Sequence, residues 1–111
     1  MNYRWVKVNS SIPTDDGVYP ILVENKKYTL VINQGKPHLF QSKCPHAGGL
    51  LYTGWCEKNK LICPIHRYSY DLESGRGSAG QGDYITKFPL KWESNNLFVG
   101  LKLSWWKKLF S

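Results

Sequence analysis

Two short groups of cysteine and histidine, Cys44-Pro45-His46 and Cys63-Pro64-Ile65-His66, place the strongest constraint on how this chain folds. Sixteen residues separate His46 from Cys63. Each group offers one thiolate and one imidazole, and soft sulfur with imidazole nitrogen suits zinc or an iron–sulfur centre. Any fold that uses both groups must bring two loops together around one inorganic core. The loop chemistry is present: Cys44 opens the run Cys44-Pro45-His46-Ala47-Gly48-Gly49, and Cys63 follows the apolar pair Leu61-Ile62. Loops of this kind let the backbone bend and aim amide N–H groups at sulfur. Three cysteines is an odd number, and Met1–Lys7 holds no apolar stretch of signal-peptide length. Reduced thiols in a cytoplasmic protein are therefore expected, not a disulfide scaffold.

The scaffold for those loops reads as β-structure. Tyr3–Val8, Gly17–Val23, Lys27–Asn33 and Pro37–Phe40 are rich in Val, Ile, Leu, Tyr and Phe. Turn chemistry separates them at Thr14-Asp15-Asp16-Gly17, Glu24-Asn25-Lys26 and Asn33-Gln34-Gly35-Lys36. Ile85–Glu93 and Leu97–Leu103 repeat the style around Ser94-Asn95-Asn96, and Pro89 marks an edge or a bulge. No helix-period stretch of ten residues precedes the C-terminal end, and no linker divides the chain. At 111 residues, 41% hydrophobic and 21% charged, one globular all-β domain over residues 1–111 is expected. All three cysteines and two of the three histidines fall between residues 42 and 83, where the loops are.

The spacing C-x-H, sixteen residues, C-x-x-H resembles the ligand pattern of Rieske-type [2Fe–2S] proteins, in which two histidines replace two cysteines on one iron. Zinc sites more often pair like ligands with like. The flanking runs are similar to the same family. Cys44–Leu51 looks like its first ligand loop, and His66-Arg67-Tyr68-Ser69-Tyr70-Asp71-Leu72-Glu73-Ser74-Gly75 like its strand and turn after the second ligand loop. The resemblance covers roughly residues 3–101. It implies antiparallel sheets with a small cluster-binding subdomain inserted mid-chain, its loops at about residues 42–72. It implies a [2Fe–2S] cofactor with Cys44 and Cys63 on one iron, and His46 and His66 on the other.

Departures from the family carry information. High-potential members join the two loops by a disulfide; the matching positions here are Gly49 and Ile65. They place Ser where Tyr68 stands, and Tyr where Tyr70 stands. Hydrogen bonds to cluster or ligand sulfur raise the potential. Tyr70 is thus expected either to supply one such bond or to serve as core only. The segment Ser78-Ala79-Gly80-Gln81-Gly82-Asp83-Tyr84 lacks the proline of the family's covering loop, so thinner cover is expected.

Other signals read as structural. Gly75-Arg76-Gly77-Ser78-Ala79-Gly80 matches G-x-G-x-x-G, but no helix follows to present amides to a phosphate. Cys56 beside Trp55 reads as a packed thiol, and His38 in Pro37-His38-Leu39-Phe40 as a core histidine. The tail, Leu103-Ser104-Trp105-Trp106-Lys107-Lys108-Leu109-Phe110-Ser111, suits a short helix capped by Ser104. It would pack on the domain, dock a partner or touch lipid.

The resemblance implies a ferredoxin, an electron carrier and not an enzyme in itself, serving a reductase and an oxygenase. The alternative it offers is the small subunit of a multi-subunit reductase, such as NADH-dependent nitrite reductase. Fifteen Lys and Arg against eight Asp and Glu give +7, which points to redox partners with an acidic docking surface. Nucleic acid is not expected, and a membrane surface ranks behind a protein partner.

Overall fold

The computed structural model describes residues 3–8, 11–45, 48–65, 67–78, 81 and 83–102. His46, His66 and the tail from Leu103 lie outside the described residues, and with the tail the expected capped helix. The described chain forms β1 (Tyr3–Lys7), β2 (Gly17–Val23), β3 (Lys26–Asn33), β4 (Lys36–Phe40) and a single 3-10 turn at Leu51–Thr53. There follow β5 (Trp55–Glu57), β6 (Lys60–Ile62), β7 (Ser69–Asp71), β8 (Lys87–Phe88), β9 (Leu90–Glu93) and β10 (Asn96–Lys102). They make three antiparallel sheets, in the orders β1-β10-β9, β2-β3-β4-β8 and β5-β6-β7. The expected all-β architecture is thus the observed one.

Four hairpins close on two central residues each. Glu24 and Asn25 (φ 52° and 65°), Gln34 and Gly35 (54° and 77°), Lys58 and Asn59 (49° and 64°), and Ser94 and Asn95 (50° and 67°) all take left-handed backbone. Positive φ at both central positions is what a two-residue turn needs to match the right-handed twist of its strands. The second of these is also pinned from outside: the Asp16 carboxylate accepts from the Gln34 and Gly35 N–H groups at 2.9 and 3.1 Å.

The central sheet is covered on both faces. Tyr28, Leu30 and Ile32 of β3 pack with Ile21, Val23, Leu39, Leu97 and Val99 in one core, toward β1-β10-β9. Val31, between them in sequence, packs on the other side with Phe40, Leu51, Leu61, Tyr70, Leu72 and Ile85. Side chains alternate across a strand, so a strand buried on both faces loses its polar positions and reads as a continuous apolar run. That is the Leu30–Ile32 stretch.

Two differences from the expected elements follow from local chemistry. Pro89 does more than mark an edge: the stretch Ile85–Glu93 divides there into β8 and β9, which belong to different sheets. A proline cannot donate to a ladder, and its free carbonyl instead accepts from Gly100 N–H at 2.9 Å. The middle of the chain, expected to be loops, holds three strands of three residues each, too short to show a period. This lobe leaves the central sheet after β4 and returns at the adjacent β8. Gln41 and Thr86 pinch its neck, with Gln41 N–H to Thr86 O at 3.2 Å and Thr86 N–H to Gln41 Oε1 at 2.8 Å.

Leu30 is fully buried at the heart of the first core. Leu30→Ala should lower the unfolding free energy by about 2–5 kcal/mol. Urea unfolding followed by far-ultraviolet circular dichroism checks this, and a loss under ~1 kcal/mol would deny β3 its central role.

Candidate metal centre

The two cysteine loops are built alike. The first, residues 44–49, rises from the bridge between Lys43 and Leu50. Cys44 N–H donates to Gly49 O at 2.7 Å, and Gly48 N–H to Cys44 O at 3.1 Å. Gly48 takes φ +67°, where a glycine is least strained. The second, residues 63–68, joins β6 to β7, and Cys63 N–H donates to Tyr68 O at 2.7 Å. Each loop is thus tied at its root by a bond from the cysteine N–H to the carbonyl five residues on. Arg67, with φ 56°, sets its guanidinium 5.4 Å from the centre of the Trp55 ring.

The roots are buried, and described residues next to them are exposed. Cys44 and Cys63 are 2% and 0% exposed, whereas Pro45, Ile65 and Arg67 are exposed. Both thiols are free of disulfides and lie side by side. Burial pushes the Cys63 thiol up, and its neighbour Cys44 adds to the rise; the N–H of Ile65, bonded to its sulfur, works the other way. Two sulfurs forced together in an apolar interior are poor isolated anions, but a cation between them removes the penalty. The donor set therefore fits a thiophilic metal group. Among the described residues no three metal-ligating side chains gather, because the two imidazoles of the sequence pattern lie outside them.

Gly49 and Ile65 meet where the loops touch. A Cβ on Gly49 would stand 2.6 Å from Ile65 Cγ1, 3.5 Å from Ile65 Cβ and 3.5 Å from Cys63 Sγ. The Cβ–Cβ separation lies within the span of a disulfide, about 3.5–4.5 Å. Ile65 occupies the space that a bridging pair would take.

Tyr70, the middle residue of β7, is fully buried beneath the loops. Its hydroxyl lies 3.3 Å from Cys44 Sγ and donates to Asp83 Oδ2 at 2.7 Å. Burial, then Cys44, then Asp83 push its ionisation far up, so the phenol stays protonated. Asp83 and Gln81 come from the segment read only as a cover. Gln81 Nε2 donates to Asp83 Oδ1 at 3.1 Å, and Gln81 Oε1 accepts from Ser69 N–H at 3.0 Å. Nothing local in sequence announces this link, since Asp83 stands thirteen residues from Tyr70 in a glycine-rich stretch.

The signals read as structural are placed accordingly. Cys56 is half-buried in β5, with Sγ 3.8 Å from Asn33 Oδ1, and burial raises its thiol pKa first, Asp16 second. His38 is buried, with Nδ1 3.1 Å from Lys87 Nζ and the ring bonded to the backbone of Leu72. Burial, then Lys87, hold its pKa down, so the ring is neutral. Gly75 and Gly77 serve packing: a Cβ on Gly75, at φ +79°, would come 2.3 Å from Ile85 O, and one on Gly77 2.4 Å from Asp83 Oδ1.

Comparison with known proteins covers most of the chain. The family described as the Rieske [2Fe–2S] domain matches residues 3–88. The ferredoxin component of an alkene monooxygenase system from Xanthobacter autotrophicus is 32% identical over 72 residues, 64% of this chain and 59% of that protein. The ferredoxin component of a naphthalene 1,2-dioxygenase system from Pseudomonas aeruginosa is 26% identical over 104 residues, 91% of this chain and 99% of that one. The solved ferredoxin of Sphingomonas yanoikuyae B1 superposes with a TM-score of 0.69 at 20% identity, over 90% of this chain and 99% of that one. At that identity the superposition speaks for the fold.

The loop contact yields a direct test. Gly49→Cys combined with Ile65→Cys should form a bridge between the loops. Denatured and metal-stripped without reductant, that variant should show the three native thiols, and five after reduction. Five without reductant would mean that the loops do not meet as described.

Proposed function

The chain belongs to the Rieske [2Fe–2S] domain family, and on that premise we propose that it is a one-electron carrier, a ferredoxin component that passes electrons to an oxygenase or similar redox partner. It binds a [2Fe–2S] cluster. The observation that carries the reading is the matched pair of loops, each tied at a buried cysteine, with Cys44 and Cys63 side by side. In this reading Cys44 and Cys63 hold one iron, and His46 and His66 the other, within the same loops. When bound, the cluster supplies reversible one-electron chemistry.

The chain's own residues supply the rest. Buried roots keep water from the thiolates, and the N–H of Ile65 bonds the sulfur of Cys63. Exposed Lys43 and Arg67 beside exposed Leu50 and Ile65 give the loop end a basic and apolar rim. With +7 overall, that rim fits an acidic docking surface on a redox protein. The reading takes residues 1–111 as a single Rieske domain acting in the cytoplasm. No helix among the described residues is long and apolar enough to cross a membrane.

Purified anaerobically, the protein should carry two irons and two sulfides per chain and give a rhombic paramagnetic signal after dithionite. Cys44→Ser or Cys63→Ser should abolish both, and Cys56→Ser neither. Stoichiometric zinc without visible absorption would defeat the reading. With no bridge between the loops, the midpoint should lie near the lower end of the Rieske range, about −150 to +300 mV. Protein-film voltammetry at pH 7 reads it, and a midpoint above roughly +150 mV contradicts the assignment.

Docking has its own signature. Lys43→Glu with Arg67→Glu should slow electron exchange with an acidic partner about tenfold at low salt. The difference should shrink as ionic strength reaches ~0.1 M, where the Debye length is about 10 Å. Stopped-flow rates unaffected by both salt and charge reversal would remove the rim from the encounter.

A further inference from the structure

The Tyr70 hydroxyl has one proton and two neighbours able to accept it. Cys44 Sγ lies at 3.3 Å and Asp83 Oδ2 at 2.7 Å. The shorter contact has the length of a charge-assisted bond to a carboxylate. A metal-bound thiolate has given part of its charge to the metal and competes poorly. We propose that Asp83 takes the Tyr70 proton away from the ligand sulfur, and that Asp83 is the positioning residue that holds the reduction potential of this site down. The proposal rests on Cys44 being a cluster ligand.

The carboxylate is built into place. Its Oδ1 accepts from Gln81 Nε2, and Gln81 is oriented by accepting the Ser69 backbone N–H through Oε1. A backbone N–H can only donate, so this chain of bonds has a fixed sense from Ser69 to Asp83. The Asp83 backbone is held by Gly77 N–H, donated to Asp83 O at 2.9 Å. A Cβ at Gly77 would stand 2.4 Å from Asp83 Oδ1 and 2.6 Å from Gln81 Nε2, so the pocket for the pair exists because position 77 is glycine. With its O–H directed at Asp83, Tyr70 presents oxygen lone pairs to Cys44, backed by the negative charge of the carboxylate. Both oppose an added electron. A tyrosine hydroxyl next to a ligand sulfur therefore has the opposite effect here from one that donates to it.

The same fixed sense dictates what Asp83→Asn does. The amide oxygen stays with Gln81 Nε2, and the amide nitrogen faces Tyr70 and donates to its oxygen. The phenol proton then turns to Cys44 Sγ. The midpoint should rise by an amount equivalent to about a tenfold change in the reduced-to-oxidised ratio, about 59 mV for one electron.

A double-mutant cycle of Asp83→Asn and Tyr70→Phe, read by film voltammetry on cluster-loaded protein, tests this. The rise with Asp83→Asn should be larger when Tyr70 is present than in the Tyr70→Phe background. Tyr70→Phe alone should not lower the midpoint. Equal shifts in both backgrounds would make Asp83 a distant charge and overturn the proposal; so would a fall on Tyr70→Phe alone, or no rise with Asp83→Asn. If Asp83→Asn does not load, Asp83→Ala takes its place in the cycle, because it also frees the phenol proton for sulfur. Wild-type protein without an iron–sulfur spectrum would defeat the ligand assignment itself. A normal spectrum with additive shifts defeats only the role of Asp83.

Discussion

Strand β3 sends alternate side chains into two separate apolar cores, with Tyr28, Leu30 and Ile32 on one side and Val31 on the other. Full burial of each large apolar side chain is worth about 1.5–3 kcal/mol, and a strand buried on both faces collects this at consecutive positions. The arrangement also fixes register, since a slip of one residue would exchange the contents of the two cores. On one side the sheet β1-β10-β9 closes a sandwich. On the other the small lobe packs its strands, and with them the roots of both cysteine loops, against the same rigid layer. The precision of the metal centre thus begins in a sheet that contributes none of its ligands.

Within the lobe, chemistry unfavourable in isolation is set up by geometry. Cys44 and Cys63 belong to the same apolar cluster as Phe40, Leu51 and Leu61. Thiolates there pay a desolvation penalty that only a cation offsets. Tying each loop with a bond from the cysteine's own N–H fixes the sulfur while leaving the rest of the loop to reach outward. In the proposed reading this gives the cluster dry roots at Cys44 and Cys63, with Pro45, Ile65 and Arg67 exposed beyond them.

Much of this was legible in the sequence, for physical reasons that also explain the gaps. The strands of the base announce themselves through β-branched and aromatic runs, and in the turns Glu24-Asn25 and Gln34-Gly35 the residues Asn25 and Gly35 are types that accept left-handed backbone. The hairpin at Lys58-Asn59 carries little signal in sequence because its strands are three residues long and a lysine is an unremarkable turn residue. Pro89 was visible, but its effect, division of one stretch between two sheets, depends on tertiary placement. The cysteines stood out through spacing. Asp83 did not, because its partner Tyr70 is reached across the lobe and no local pattern ties an acid in a glycine-rich segment to a buried phenol. The Gly75–Gly80 motif had the converse fate: its pattern was evident, and at Gly75 and Gly77 close packing explains it.

The pinch between Gln41 and Thr86 makes the lobe an insertion with both ends at one point of the parent sheet. Strands on both sides of it in sequence meet without its help: β4 pairs with β8, and β1 with β10. The base is therefore closed by the two outer parts of the chain, and the lobe hangs from it as a cassette. In a newly made chain, the sandwich has the contacts to form before iron and sulfide arrive, and assembly of the inorganic centre becomes a local event in an already anchored segment. The same topology lets such a cassette change its ligands, its cover or its docking rim over evolutionary time while the strands that hold it keep their register.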